Sequence, residues 1–149
     1  MLKGIDPLLN ADVLQALAAM GHGDELVIVD SNFPADSIAR RTAIGKLLRI
    51  DADIGRAARA VLSLFPLDTF VEYPARRMQV VGKPDEIPAA QADVQKVIDA
   101  AEGRSVPLGS IERMQFYEVA KRAYCVIQTT EGRPYGVIIL TKGVITPGR

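Results

Sequence analysis

Cysteine and histidine are nearly absent from this sequence. Its 149 residues include one cysteine, Cys125, and one histidine, His22. A single cysteine excludes an internal disulfide and every metal site built from several thiolates, and a single histidine excludes zinc motifs built on two imidazoles. We therefore predict no metal site. Cys125 lies in an apolar run, which favours a small buried side chain over a nucleophile.

An excess of charge of either sign is also lacking. Eighteen basic residues balance eighteen acidic ones, so the formal net charge is +0. Nucleic-acid-binding domains usually carry a basic excess, and we predict no nucleic-acid partner. Zero net charge also leaves little repulsion between copies of the chain, so it does not oppose self-association.

Long apolar runs are missing as well. No stretch reaches the roughly eighteen consecutive apolar residues that indicate a membrane-spanning helix. Residues 1–7 contain no apolar segment of the kind found in secretory signals. We therefore predict a cytoplasmic protein without a membrane partner.

The residues that are present indicate one α/β domain spanning residues 1–149. The apolar share of 48% and the charged share of 24% are ordinary for globular domains. Apolar patterns typical of helices and strands alternate along the chain, as in layered α/β folds. Helices are predicted over 7–20, over 54–65, from Pro88 to a stop at Gly103, and from Ser110 to Ala123. Strands are predicted over 26–29, 78–81, 124–129 and 135–141, with coil over 143–149.

The order of these elements predicts a mixed, mostly parallel sheet flanked by helices. Strands separated by helices favour parallel pairing. The last two strands are joined by the turn at 131–134, and this predicts an antiparallel hairpin.

His22 and Asp30 are the first candidates for a functional site. His22 stands between two glycines, which leave its imidazole accessible, and imidazole is suited to proton transfer near neutrality. The alternative is an exposed loop histidine, or one that holds the loop by a hydrogen bond. Asp30 ends a buried strand, where ligands collect in open α/β sheets. The alternative for Asp30 is a helix cap or an Asx turn.

Arg113, Tyr117 and Tyr135 carry polar groups of the kind that contact sugars or carboxylates. Arg113 and Tyr117 lie near the start of the last predicted helix, and Tyr135 begins the last predicted strand. Guanidinium and phenol groups offer donors in fixed directions. The alternatives are a solvated charge for Arg113 and core packing for each tyrosine.

Several longer motifs resemble the fucose mutarotase and ribose pyranase family. The most specific are M-G-H-G-D-E at 20–25 and D-S-N-F-P-A at 30–35, and the resemblance covers nearly the whole chain. The N-terminal block M-L-K-G-I-D-P-L-L and the F-Y-E segment at 116–118 are closer to the fucose mutarotase branch. Similar segments also occur at 113–118, 135–136 and 142–144.

The resemblance implies a ribose-pyranase-like fold and an isomerase that interconverts ring forms of free monosaccharides. It implies no cofactor and a homo-oligomer, a ring-shaped decamer in many members, with active sites where subunits meet. By position, the catalytic histidine of the family corresponds to His22. The family's sugar-binding residues correspond to Asp30, Arg113, Tyr135, Gly136 and Val137.

Val137 departs from the family pattern, which has asparagine after the Tyr-Gly pair. Valine has no side-chain hydrogen-bonding group, whereas an amide both donates and accepts. In the family, the asparagine amide binds a hydroxyl of the sugar. The valine leaves three alternatives: the substrate differs, another group binds that hydroxyl, or the activity is reduced.

The predicted function is acid–base interconversion of the α and β anomers of L-fucose or a related free sugar. His22 is the predicted acid–base group, and Tyr117 is a further candidate for binding the sugar. One alternative is a ribose-type pyranase, which converts a pyranose to another ring form. Another is a non-catalytic sugar-binding or regulatory module.

Overall fold

A computed structural model describes residues 1–148 of the chain. Six strands form one sheet: β1 Glu25–Val29, β2 Leu48–Arg49, β3 Ala75–Met78, β4 Gly109–Ile111, β5 Cys125–Gln128 and β6 Ile138–Thr141. The helices are α1 Ala11–Ala19, α2 Ala35–Ala39, α3 Ile54–Leu62, α4 Ala89–Glu102 and α5 Arg113–Lys121. The strand order across the sheet is β2-β5-β1-β6-β3-β4.

The strand directions confirm the predicted mixed, mostly parallel sheet. β1 is parallel to β5, β5 to β2, and β3 to β4, whereas β6 is antiparallel to both of its neighbours, β1 and β3. Five strands therefore run in one direction and β6 runs in the other.

The predicted hairpin between the last two strands is wrong. β1 lies between β5 and β6 and hydrogen-bonds to both of them. In this central position the apolar strand β1 pairs with a strand on each side and is buried on both faces. A hairpin of β5 with β6 would exclude β1 from the place between them.

Helices cover both faces of the sheet, and alternate residues of β1 point into two separate cores. Leu26 and Ile28 pack with residues from α1, α3 and α4, including Val13, Val61 and Ile98. Val27 and Val29 pack on the other face with residues from α2 and α5, including Ile38, Phe116 and Val119. The strand predicted at 26–29 is thus confirmed as one buried on both faces.

Two polar side chains and a glycine fix three of the helix ends. The Asn10 side chain accepts a hydrogen bond from the Val13 N–H at 3.0 Å and caps α1. Asp53 caps α3 in the same way, accepting from the Arg56 N–H at 2.8 Å. Gly103 ends α4 with φ 69°, a left-handed conformation that costs glycine little.

Several element boundaries differ from the prediction. The helix predicted over 7–20 is α1 and begins at Ala11, after its cap, and the helix predicted over 54–65 is α3 and ends at Leu62. The helix predicted from Ser110 begins at Arg113 instead. The Glu112 carboxylate caps α5 there, because it accepts hydrogen bonds from the backbone N–H groups of Met114 and Gln115. The residues before Glu112 form β4. The strand predicted over 78–81 is β3 and ends at Met78. The strand predicted from Tyr135 is β6 and begins at Ile138, after a tight turn.

The end of the chain forms neither helix nor strand over 144–148, as predicted, and Arg149 lies outside the described residues. Across residues 1–148, no helix is long and apolar enough to cross a membrane.

Candidate functional site

A cavity of about 180 Å³ opens where β1, β3 and β4 end and α5 begins. Ligands of open α/β sheets bind at this edge, beyond the carboxyl ends of parallel strands. Five of the predicted site residues line the cavity, namely Asp30, Arg113, Tyr117, Tyr135 and Val137. Asn32, Phe33, Met78 and Pro134 complete the lining.

Asp30 is a buried carboxylate that organises two loops of the cavity. One oxygen accepts from the N–H groups of Asn32 and Phe33, each at 2.9 Å, so the Asx turn considered above is present. The other oxygen accepts from the Gly136 N–H at 3.1 Å. Burial raises the pKa of Asp30 above its ordinary value, against the effect of these three backbone hydrogen bonds.

The turn at 135–137 presents Tyr135 and Val137 to the cavity. Tyr135 has φ 59°, the one positive φ of a non-glycine residue among those described. Its carbonyl accepts from the Val137 N–H at 2.9 Å and from the Gln91 side chain at 3.0 Å. Gly136 has no room for a side chain, because a Cβ would lie 2.8 Å from Glu131 Cγ. The predicted site residue Gly136 therefore has a packing role as well as its hydrogen bond to Asp30.

Arg113 and Tyr117 enter the cavity from the first two turns of α5. The Arg113 guanidinium lies 5.1 Å from the centroid of the Tyr117 ring. The Phe33 ring also packs against Tyr117, with the two ring centroids 5.4 Å apart. Within residues 1–148, no carboxylate forms an ion pair with Arg113, so its donors are available to a ligand.

Glu131, which sequence reasoning did not single out, supports the cavity loop from behind. Its carboxylate accepts from the backbone N–H and the guanidinium of Arg133 at 2.8–3.1 Å, and the guanidinium also pairs with Asp93. These hydrogen bonds outweigh burial and lower the pKa of Glu131 to about 2. The turn signal at 131–134 marked this segment, but the sequence did not show that the glutamate is buried.

His22 lies at the opposite edge of the sheet. His22 precedes β1 and Asp30 follows β1. The length of this five-residue strand by itself is about 13 Å, so the two residues lie at opposite ends of it. The Gly23 N–H donates to the Lys142 carbonyl at 2.8 Å, which fixes the histidine loop beside the end of β6. Within one copy of the chain, His22 therefore does not reach the cavity.

Asp68 forms a dyad with His22 that the sequence did not reveal. Its Oδ1 atom lies 3.0 Å from His22 Nε2 and also accepts from the Phe70 N–H at 3.1 Å. Burial alone would raise the pKa of Asp68, but the hydrogen bonds from Phe70 and His22 bring it below its ordinary value. An ionised carboxylate only accepts, so His22 Nε2 carries the proton and Nδ1 remains open for chemistry. His22 therefore also holds its loop by a hydrogen bond, which is one of the alternatives that the sequence left open.

Exposed apolar side chains stand beside both the dyad and the cavity. The Phe70 ring lies 5.1 Å from the imidazole and is 71% exposed, and Val71 next to it is also exposed. Near the cavity, Val81 and Met114 are exposed, and the Val81 N–H donates to the Tyr135 hydroxyl. Exposed apolar patches of this kind mark surfaces that other proteins cover.

The remaining chemistry-bearing side chains lie elsewhere. Burial raises the pKa of Cys125 to about 12, so its thiol is inert, as predicted. The part of the chain that the structure describes contains no group of three His, Cys, Asp or Glu side chains able to hold a metal ion.

Residues 3–145 match the model of the RbsD / FucU transport protein family. The chain belongs to this family. An L-fucose mutarotase from Histophilus somni is 41% identical over 145 residues, which are 97% of each chain. The family predicted from the sequence motifs is thereby confirmed, and the relatives' names agree with the predicted enzyme class, an isomerase of the mutarotase type.

Solved structures share the fold of this chain. The crystal structure of protein Atu2016 superposes with a TM-score of 0.96 at 59% identity, covering 98% of this chain and 97% of the other. The fucose mutarotase of Streptococcus pneumoniae, in complex with L-fucose, superposes with a TM-score of 0.86 at 36% identity, covering 97% and 100%. The predicted α/β fold of the family is confirmed.

Proposed function

We propose that this protein is a cytoplasmic monosaccharide mutarotase that interconverts the α and β anomers of L-fucose or a related free sugar. The observation that carries the proposal is family membership over nearly the full chain, with relatives named L-fucose mutarotase. The geometry adds a cavity that offers a carboxylate, a guanidinium and phenols, and a dyad with an accessible imidazole.

Mutarotation opens the sugar ring and closes it on the other face. In ring opening, the ring oxygen gains a proton, its bond to the anomeric carbon breaks, and the anomeric hydroxyl loses its proton as the carbonyl forms. Ring closure reverses each step after the carbonyl has turned, so no proton is gained or lost overall. The reaction requires one group that moves a proton and a site that holds the hydroxyls.

His22 is the proposed proton carrier. The Asp68 carboxylate fixes the imidazole through Nε2 and stabilises the imidazolium that forms when Nδ1 takes a proton. Asp30 and Arg113 hold sugar hydroxyls, since one accepts and the other donates. Tyr135 and Tyr117 supply phenol groups at the cavity, and the Gly136–Val137 segment supports the wall around the sugar.

Two copies of the chain complete one site in this proposal. The cavity and the dyad lie at opposite edges of the sheet, so the His22 that acts on a bound sugar comes from a second copy. The exposed apolar side chains at both places support this contact, because docking would cover them. A closed ring satisfies such a head-to-tail contact in every copy, and a decamer of this kind is part of the proposal.

The experiment is saturation-transfer NMR of anomer exchange with L-fucose, D-ribose and D-galactose. We expect the wild-type protein to accelerate exchange of at least one sugar, and His22→Ala to reduce that acceleration about 10²- to 10⁴-fold while the protein remains folded. Undiminished exchange in His22→Ala would show that the imidazole is not the proton carrier.

The same measurements separate the two alternatives. A ribose-type pyranase would change the ring form of D-ribose and act on it in preference to L-fucose. A non-catalytic sugar-binding module would give saturable binding by calorimetry with no acceleration of exchange in any sugar.

A further inference from the structure

Part of the cavity lining has no strong hydrogen-bonding side chain. Phe33, Met78 and Val137 line the cavity and belong to the same buried apolar cluster. Each is less than 8% exposed, so the side chains are fixed by packing and cannot turn away from a ligand. We call these three side chains the apolar surface of the cavity.

The backbone beside Val137 does not supply the missing donors. The Val137 N–H donates to the Tyr135 carbonyl at 2.9 Å, and the Gly136 N–H donates to Asp30 at 3.1 Å. Both N–H groups of this turn are therefore engaged within the protein. Asp30 accepts three backbone hydrogen bonds, which fix its carboxylate in place and leave it one further acceptor site.

A sugar hydroxyl placed against this surface would lose its hydrogen bonds to water without gaining one from the protein. A carbon–hydrogen group or a methyl group at the same place loses nothing and buries apolar area. An apolar pocket discriminates against an added hydroxyl by about 10- to 100-fold. The polar groups of Asp30, Arg113 and Tyr135 would meanwhile serve the other hydroxyls of the sugar.

We propose that Val137 sets the substrate class: a monosaccharide that presents carbon–hydrogen groups, with no hydroxyl, to the apolar surface of the cavity. The inference rests on the proposed mutarotase function and adds to it the residue that selects the sugar. It assigns to Val137 a role in specificity, while proton transfer stays with His22.

Two pairs of sugars that differ by a single hydroxyl test this inference. L-fucose and L-galactose differ at carbon 6, and 2-deoxy-D-ribose and D-ribose differ at carbon 2. Anomer exchange by NMR gives kcat/KM for each sugar, and the ratio within a pair reports the cost of that hydroxyl. Three variants are compared with the wild type: Val137→Thr keeps the shape and adds a hydroxyl, Val137→Asn adds an amide, and Val137→Ala adds space without polarity.

We expect the wild-type protein to favour the deoxy sugar at least about tenfold in one pair. Val137→Thr and Val137→Asn should lower that preference about tenfold, whereas Val137→Ala should leave it within about twofold. Equal ratios in all four proteins, or the same change in Val137→Ala as in Val137→Thr, would overturn the inference.

The wild-type protein alone keeps the inference falsifiable if a variant does not fold. Preference for the hydroxylated sugar in both pairs, measured as kcat/KM or as affinity by calorimetry, would overturn it. Failure of the proposed function looks different, because the wild type would then accelerate exchange of none of the four sugars.

Discussion

Replacing Glu131 by glutamine should destabilise the protein and remove part of its sensitivity to acid. The Glu131 side chain is 5% exposed and pairs with the Arg133 guanidinium at 2.8 Å. Its other contacts include the Ile54 N–H at the start of α3. A glutamine keeps the size of the side chain but cannot pair with the guanidinium as an anion.

The magnitude follows from the pKa of this carboxyl group. A value of about 2 in the folded protein, against 4.5 ordinarily, corresponds to about 3 kcal/mol of stability at neutral pH. Because the folded pKa is lowered, this stability is fully present above about pH 4.5. It is lost as the pH falls from about 4.5 to 2, where the unfolded chain binds the proton first.

Urea denaturation at pH 7 and at several values between pH 5 and 2 measures both effects. We expect Glu131→Gln to lower the free energy of unfolding at pH 7 by about 3 kcal/mol and to flatten its decline below pH 4.5. Glu118→Gln is the matched control, since Glu118 is exposed and its ion pair is with Lys121 on the same helix, so little change is expected. A Glu131→Gln protein with wild-type stability and the wild-type pH dependence would refute the reasoning.

Three further predictions concern the dyad, the cavity turn and the thiol. Asp68→Asn should slow anomer exchange about 100-fold by NMR, because His22 loses its fixed orientation, whereas the exposed Asp12→Asn should not; equal rates would contradict the dyad. Gly136→Ala should lower the free energy of unfolding by about 1–3 kcal/mol in urea denaturation, because its Cβ would meet Glu131 Cγ at 2.8 Å; wild-type stability would show that the turn yields. Cys125 should react with a thiol reagent only after unfolding, and rapid labelling of the native protein would contradict its burial.

Local patterns predicted the elements whose signals lie within a few residues of one another. Gly103 is predicted as a helix end because a glycine stop acts on the helical turn immediately before it. The apolar run of β1 predicted a strand buried on both faces for the same reason. These features need no knowledge of the rest of the fold.

Strand pairing was predicted less well, because it depends on contacts far apart in the chain. The turn at 131–134 favours a hairpin, but β1 pairs with both β5 and β6 from about a hundred residues away. The two-residue β2 and the three-residue β4 carry too few residues for a detectable alternation, so neither was predicted.

In the candidate site too, the residues with local signals were predicted and the contacts between distant residues were not. Asp30, Arg113, Tyr117, Tyr135 and Val137 were predicted, and the structure brings all five to one cavity. Asp68 was missed because it lies 46 residues from His22 in the sequence, and only the fold brings them together. The separation of His22 from the cavity also follows from the fold, since it depends on which end of β1 each residue occupies.

Complementation between two inactive variants tests most directly whether two copies form the site. His22→Ala keeps an intact cavity, and Arg113→Ala keeps an intact dyad, so neither should accelerate anomer exchange alone. After the two are unfolded, mixed in equal amounts and refolded together, we expect exchange to recover to roughly a quarter of the wild-type rate, because random assembly pairs an intact cavity with an intact dyad in that share of contacts. Mixed oligomers, verified by separate tags, that remain as inactive as the two parents would contradict a site shared between copies.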